Sequence, residues 1–301
     1  MKRHVIITAS NRKCGNFLID HWLVSLKKNV NLDQIDIVVV DYGLTKNQRK
    51  KIAAEKIILL EGKTGGNLMI NRFIDAAKFL FKTDYDQVLV IDSGDVIFQK
   101  DIAHLFRKDK DKIRAYQYNT NPLYFDYFIK RNFLGRVREI LWENLNNKAV
   151  FNSGVIVLPG NKLIELGKLI EKMGKNNKKF SSDQVLVNYF IYRNEYKTLS
   201  IDYNFTPGDK NGTFEIRNGK FVKKKGHVYA IVHNAGRTST FRSINKFGYG
   251  KSYNKLSLTK YYFKKFFYWG TEVIKNGFYT ARAKRAAEIY SLLRLKSSAK
   301  M

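Results

Sequence analysis

Two aspartates three positions apart, just past an apolar run, are the residues of this chain best placed to do chemistry. In Val88-Leu89-Val90-Ile91-Asp92-Ser93-Gly94-Asp95-Val96 the β-branched run reads as a strand, and both carboxylates fall beyond its carboxyl end. Ligands of open α/β sheets bind beyond the carboxyl ends of strands, where a pair of acids can hold a divalent ion and, through it, a phosphate. The bland reading of one such Asp is a helix cap; a second acid with Gly94 between them favours a metal. His233 leaves a second apolar run, Val228–Val232, into Asn234-Ala235-Gly236-Arg237. An imidazole beside carboxylates suits Mn²⁺, which accepts nitrogen as well as oxygen ligands. The alternative is a histidine hydrogen-bonded at a strand end. Arg237 and Arg242 carry planar donor forks that fit a diphosphate, or else they are surface charges.

These groups need a sheet to hold them. Short β-branched runs alternate with helix-period segments through the first hundred residues, the pattern of βαβ units around a parallel sheet. The spacing predicts strands at Val5–Ala9, Ile35–Val40, Lys56–Leu60 and Gln87–Ile91, and helices near Asn16–Lys28, Lys46–Ala54 and Asn67–Phe81. Within the first helix Phe17, Ile19, Trp22, Leu23 and Leu26 form a strip expected only to pack. Further on, Ile113–Gln117 and Val150–Leu158 read as strands, and Tyr124–Asn147, Leu163–Met173 and Asp183–Tyr192 as helices. Phe214–Ile216 and Lys220–Val222 flank Asn218-Gly219, a hairpin turn signal, before the strand Val228–Val232.

The chain has 301 residues, 44% of them hydrophobic, with only three prolines, which excludes disordered and proline-rich classes. Fifty-five Lys and Arg against 26 Asp and Glu give a net charge of +29, a field that attracts polyanions: nucleic acid, anionic membrane or phosphorylated substrate. The one cysteine, Cys14, excludes an internal disulfide and any multi-thiolate metal site, and a reducing compartment is expected. Val5-Ile6-Ile7 is too short for a signal-peptide core and is read as strand. No apolar run approaches the length of a membrane span.

The composition changes near Tyr253, and a boundary is expected there: 1–253 catalytic, 254–301 an appendage. From Thr259, Tyr262, Phe263, Phe266, Phe267, Val273, Ile274 and Phe278 recur at helical spacing among lysines, and a second basic segment follows around Ile289, Leu292 and Leu293. Such basic aromatic amphipathic helices fit attachment to an anionic membrane surface; packing onto the catalytic domain is the alternative.

Taken in order, several motifs over roughly residues 4–245 resemble the retaining glycosyltransferases of family 8, bacterial lipopolysaccharide galactosyl- and glucosyltransferases among them. They are Ile7-Thr8-Ala9-Ser10, Asp41-Tyr42-Gly43-Leu44-Thr45, Asn71-Arg72, Asp92/Asp95, Phe151-Asn152-Ser153-Gly154-Val155, Asp183-Gln184 with Asn188, Tyr203-Asn204-Phe205, and His233 with Gly236. The resemblance implies an α/β GT-A (Rossmann-like) nucleotide-sugar transferase fold with a mixed central sheet and a basic helical appendage at the C-terminus. It implies that Asp92, Asp95 and His233 hold Mn²⁺ (or Mg²⁺) against the donor diphosphate, and that Arg72, Asn152, Asp183 and Gln184 meet the donor sugar, Gln184 nearest the reacting carbon. The resemblance further implies that Thr8, Ala9, Ser10, Asn11, Ser93, Gly236 and Arg237 complete the donor site.

The pattern departs from the family's at three places. Asp92-Ser93-Gly94-Asp95 has one residue more than Asp-x-Asp, so Asp95 is expected to be the firmer ligand and Asp92 to need a loop adjustment. Ser10, Asn11 and Arg12 stand where relatives often carry acids that read uracil. The lysine of the last motif is missing, with Arg237 or Arg242 as substitutes. The expected function is hexose transfer from a nucleotide-sugar, UDP-hexose favoured, to a glycan or glycolipid acceptor at the inner face of the cell membrane. Nucleic acid is the competing partner, disfavoured because the lysines are dispersed and no nucleic-acid motif occurs. Nucleotidyl transfer is a third reading, lowered by the missing glycine-rich, lysine-containing phosphate loop.

Overall fold

In a computed structural model, residues 3–63, 67–118, 123–174, 177–207, 214–223, 226–235, 244–250, 254–255, 263 and 266–267 are described. The expected boundary at Tyr253, most of the basic tail, and the site candidates Gly236, Arg237 and Arg242 lie outside these residues.

The first half alternates as expected. Strand β1 (His4–Ser10) leads to a helical stretch made of α1 (Gly15–Phe17), a π-helical segment (Leu18–Leu23) and α2 (Val24–Asn29). β2 (Ile35–Asp41), α3 (Lys46–Ala53), β3 (Ile58–Glu61), α4 (Leu68–Leu80) and β4 (Gln87–Ile91) follow. Local chemistry sets the helix starts: Thr45 and Gln48 form a reciprocal capping box at α3, and the Asn67 side chain accepts from the Met69 amide at α4.

Past Asp92 the structure departs from the expected strings. A short strand, β5 (Val96–Phe98), follows the acidic loop directly. β6 (Ile113–Tyr118) comes next, and the single helix expected over Tyr124–Asn147 is two, α5 (Leu123–Asn132) and α6 (Gly135–Leu145). Gly135, the first residue of α6, sits at φ +52, a conformation that breaks a continuous helix. β7 (Val150–Pro159) runs straight into α7 (Gly160–Gly174), and α8 (Ser182–Tyr192) precedes β8 (Tyr196–Leu199), which the sequence pattern did not announce. The hairpin forms at Asn218-Gly219 between β9 (Glu215–Arg217) and β10 (Lys220–Val222). The strand expected over Val228–Val232 is instead β11 (Ile231–His233), with Val228 making an isolated bridge to Val222. β12 (Ile244–Asn245) pairs with β13 (Asn254–Lys255), which ties the first residues after position 253 to the chain before it.

The central sheet has seven strands in the order β3-β2-β1-β4-β7-β6-β8. β3, β2, β1 and β4 are mutually parallel, β7 runs antiparallel to both β4 and β6, and β8 is parallel to β6. Both faces of the central strands β2, β1, β4 and β7 are covered, which is why these four are largely apolar along their length. Val5, Ile7, Val88 and Val90 face a core with α4, α7 and α8, while Ile6, Leu89 and Ile91 face one with Trp22, Leu26 and Phe98. A smaller cluster of Ile97, Phe205, Phe221, Tyr229 and Val232 lies under the hairpin, with the Phe205 and Tyr229 rings stacked at 3.7 Å.

α7 and α4 pack at glycine distance. A β-carbon at Gly167 would stand 2.2 Å from the Ala77 methyl and 3.1 Å from the Phe73 carbonyl oxygen. Gly167→Val is therefore expected to force these helices apart and to destabilise the protein by roughly 1–3 kcal/mol. A urea titration would show this as a lower midpoint with an unchanged slope.

Candidate metal centre

The carboxyl ends of β1 and β4 are joined by side chains before any ligand is considered. Thr8 Oγ1 donates to the Ile91 carbonyl at 2.7 Å, and Ser93 Oγ donates to the Ala9 carbonyl at 2.7 Å. Two of the residues expected to touch the donor thus bond the protein's own backbone and fix the loop that carries Asp92. The Asn11 side chain accepts from the Lys13 and Cys14 amides and turns the chain into α1. Among the described residues Ser10 Oγ is buried without a hydrogen-bond partner. Beside this stretch an open cleft of about 480 Å³ is lined by Asn11, Arg12, Lys13, Tyr42 and Gly43.

Asp92, Asp95 and His233 meet, each offering a ligand atom within 4.8 Å of the others. His233 Nε2 lies 3.5 Å from Asp92 Oδ2 and 3.5 Å from Asp95 Oδ1. The unannounced strand β5 accounts for much of this. β11 pairs with it antiparallel so that His233 stands opposite Val96, one residue after Asp95, and the Asn234 amide donates to the Asp95 carbonyl at 2.8 Å. The longer acidic loop therefore brings both carboxylates to the histidine, Asp92 from the end of β4 and Asp95 from the start of β5. Asp92 is held from two further directions: its amide donates to the Gly154 carbonyl, and its carbonyl accepts from the Trp22 indole at 3.1 Å. Trp22 was expected only to pack; the π-helical turn places its nitrogen on the acidic loop, and such turns recur at functional sites.

Gly154 is where the centre tolerates no side chain. A β-carbon there would lie 2.4 Å from His233 Cε1, 2.8 Å from Asp92 Oδ2 and 2.9 Å from Asn152 Oδ1. The sequence shows a glycine in a buried strand; only the fold shows that its missing side chain is filled by the candidate ligands.

Behind the acids sits Arg72, 5% exposed, on α4. One arm of its guanidinium pairs with Asp92 Oδ1, while Nη2 donates to the Ser153 carbonyl at 3.2 Å and lies 3.6 Å from Asp183 Oδ2. Burial works against the guanidinium charge, but the two carboxylates outweigh it and raise its pKa. At Asp92 burial pushes upward, yet Arg72 and then His233 prevail and hold the carboxyl below its ordinary range. At Asp183 burial prevails over the more distant Arg72 and the pKa is raised.

The remaining candidates converge on Ser153. Gln184 Oε1 accepts from the Ser153 amide at 3.1 Å and lies 2.9 Å from Ser153 Oγ, which is also 3.3 Å from Asp183 Oδ2. Gln184 thus binds β7 rather than capping its own helix, and its oxygen is engaged by the protein. Asn152 Oδ1 accepts from the Gly154 amide and from Asn204, and its amide nitrogen donates to the Tyr118 hydroxyl. Arg72, Asn152, Asp183 and Gln184 are brought together on one wall, with their polar ends largely engaged by each other and by β7. Sequence reasoning assigned no role to Tyr118, Ser153 or Asn204; Asn204 and Ser153 lay inside quoted motifs, while nothing in the sequence distinguishes Tyr118 from the chain's other 17 tyrosines.

No family model matches the chain, and no curated protein matches its sequence. Solved structures do match in fold. A mutant of the galactosyltransferase LgtC aligns with a TM-score of 0.51 at 14% identity over 87% of this chain and 95% of that one. LgtC in complex with donor and acceptor sugar analogues aligns with a TM-score of 0.49 at 15% identity over 79% and 89% of the two chains. The apo bifunctional glycosyltransferase WbbM gives 0.49 at 17% identity over 80% of this chain but only 47% of its own, so the chain spans about half of WbbM's length. The alignment with the LgtC mutant and the observed sheet make the architecture the mixed α/β GT-A fold implied by the resemblance.

Arg72→Met would leave Asp92 and Asp183 without their shared cation. Removing one partner of a buried ion pair costs roughly 3–5 kcal/mol, and the metal-free variant is expected to lose about that much at neutral pH. The sign of its pH dependence follows from burial. Asp183 is already raised by burial and rises further without Arg72, and Asp92 loses the largest influence that holds it down, so the variant loses stability as pH rises through the raised Asp183 pKa and partly regains it on acidification. In the wild type the lowered Asp92 pKa opposes that of Asp183: its contribution is present above the ordinary carboxylate range and is lost as pH falls, so the wild type is expected to depend less on pH in this sense than the variant. Urea midpoints of both proteins across mildly acidic to neutral pH would check this.

Proposed function

We propose that the chain is a metal-dependent retaining glycosyltransferase that moves a hexose from a nucleotide-sugar, UDP-hexose favoured, to a glycan or glycolipid of the cell envelope. The observation that carries this reading is the convergence of Asp92, Asp95 and His233 at the carboxyl ends of β4 and β11 in a GT-A fold. Two carboxylate oxygens and one imidazole nitrogen suit Mn²⁺, with Mg²⁺ the harder alternative. When bound, such an ion stabilises the charge that builds on a departing diphosphate.

The chain's own residues supply the rest. The cleft lined by Asn11, Arg12, Lys13, Tyr42 and Gly43 is open, and two of its residues are cationic, which suits a nucleotide. Arg72 neutralises Asp92 from behind and keeps that carboxylate ionised for the metal. Asp183 and Gln184, fixed by Ser153, line the side of the centre where the sugar would lie. The Gln184 oxygen, already accepting from Ser153, is poorly disposed as a nucleophile and better suited to orient the sugar beside its own leaving group. Retention then follows from attack on the face the diphosphate leaves, with no covalent enzyme intermediate.

The basic aromatic tail supports work at the cytoplasmic face of the cell membrane. Phe263, Phe266 and Phe267 are each at least 66% exposed, and the Phe263 and Phe267 rings are 6.0 Å apart. Exposed rings among lysines fit an anionic bilayer surface. No helix among the described residues is long and apolar enough to cross a membrane.

A screen of nucleotide-sugars for Mn²⁺-dependent hydrolysis and thermal stabilisation would identify the donor, because a ligand that binds only the native state raises its stability. Asp95→Asn and His233→Ala are each expected to lower metal-dependent turnover by at least about a hundredfold while the protein stays folded. Wild-type turnover in both variants would sink the metal reading. Replacing Phe263, Phe266 and Phe267 with serine is expected to reduce sedimentation with anionic vesicles while donor hydrolysis persists; unchanged sedimentation would remove the membrane role.

A further inference from the structure

The hydrogen bonds behind His233 run in one direction only, and the direction can be worked out from a group whose role is not adjustable. The Gly154 backbone N–H can only donate, and it lies 2.8 Å from one side-chain atom of Asn152. That atom must be the oxygen. The same oxygen is 3.0 Å from a side-chain atom of Asn204, which must therefore be the amide nitrogen. The other end of Asn204 is then its carbonyl oxygen, 2.9 Å from His233 Nδ1. An oxygen facing Nδ1 can only accept, so Nδ1 carries the proton. Nε2 is then the ring atom that faces Asp92 and Asp95, and the one whose lone pair an ion held between them would take.

We propose that Asn204 is a positioning residue for the metal centre: it fixes the His233 proton on Nδ1 and so presents Nε2 to the ion. The inference rests on the metal reading above and adds to it a residue that touches neither ion nor substrate. Metal-bound histidines generally donate their other ring N–H to a neighbouring oxygen, which fixes both the tautomer and the ring plane. Here the acceptor is an uncharged amide, itself oriented by Asn152. Asn204 is fully buried, and its place is set by the backbone: the Phe205 amide donates to the Ile231 carbonyl, and the His233 amide donates to the Phe205 carbonyl. The residue after Asn204 is thus tied to the residues on either side of Val232, so Asn204 and His233 keep a common register. A short side chain is needed there, and it must offer an acceptor to one neighbour and a donor to the other. Among neutral side chains of that length, asparagine does both without a rotating hydroxyl.

The test uses the full chain with ¹⁵N-labelled histidine, metal-free and again with saturating Mg²⁺, a diamagnetic stand-in for Mn²⁺. Of the five histidines, His233 is assigned from the resonance lost in His233→Asn. The expected wild-type spectrum has the proton on Nδ1. A proton on Nε2 with none on Nδ1 overturns the proposal, whatever the variants do. Mn²⁺ affinity is then measured by electron paramagnetic resonance in three proteins. Asn204→Asp keeps an acceptor for Nδ1–H but sets its other oxygen against Asn152 Oδ1, so it is expected to cost stability while its Mn²⁺ affinity stays within about threefold of the wild type. Asn204→Leu, similar in size but without an acceptor, is expected to bind Mn²⁺ about 10–100-fold more weakly and to lose the Nδ1–H preference. Equal weakening in both variants would mean that Asn204 is only a packing residue and would overturn the proposal. If the wild type binds no Mn²⁺, the metal reading fails, while the ¹⁵N spectrum still decides where the proton sits.

Discussion

A single buried cation sets the terms for the centre of this protein. Arg72 is almost wholly removed from water and stands between Asp92 and Asp183. A guanidinium can be buried only if carboxylates and carbonyls replace its hydration, and those carboxylates can stay near the sheet only if a cation answers them. The requirement is mutual, and it binds four elements to one point: α4 through Arg72, the loop after β4 through Asp92, β7 through the Ser153 carbonyl and α8 through Asp183. The helices are free to slide over an apolar sheet face at modest cost, but not to move a charge away from its partner. The ion cluster therefore gives the apolar packing its register.

Around that point the fold solves a crowding problem by omission. Gly154 leaves the space that His233, Asp92 and Asn152 fill, and Gly94 lets the acidic loop lie against Cys14. With no side chain at Gly154, its backbone reaches both neighbours directly: its carbonyl accepts from the Asp92 amide and its own amide donates to Asn152 Oδ1. Arg72, Asn152, Asp183 and Gln184 are likewise tied to one another or to β7. Preorganisation of this kind is what a site needs if it is to stabilise charge that appears only during reaction. It also explains why several residues expected to touch the donor have structural duties, as Thr8 and Ser93 do in joining β1 to β4.

What the sequence by itself determined was set by local physics. Apolar runs buried on both faces announced β1, β2, β4 and β7, helical periodicity announced α4, α7 and α8, and Asn218-Gly219 announced the hairpin, because each depends on residues within a few positions. The order of motifs pointed to the GT-A fold, and acids after an apolar strand pointed to a metal. The tertiary structure alone decided how those acids are used. Val96–Phe98 is too short to show a period, and Tyr196–Leu199 is mostly exposed, so β5 and β8 exist only because a partner strand supplies their hydrogen bonds. Helix propensity ran through Phe133 and Leu134, and the chain still turned there. The meeting of Asp92 and Asp95 with His233, 138 residues past Asp95, depends on β11 pairing with β5, and the roles of Arg72 and Asn204 depend on which polar atom faces which. Residue types record what a side chain can donate, accept or carry as charge; only burial and contact decide which of these capacities it must use.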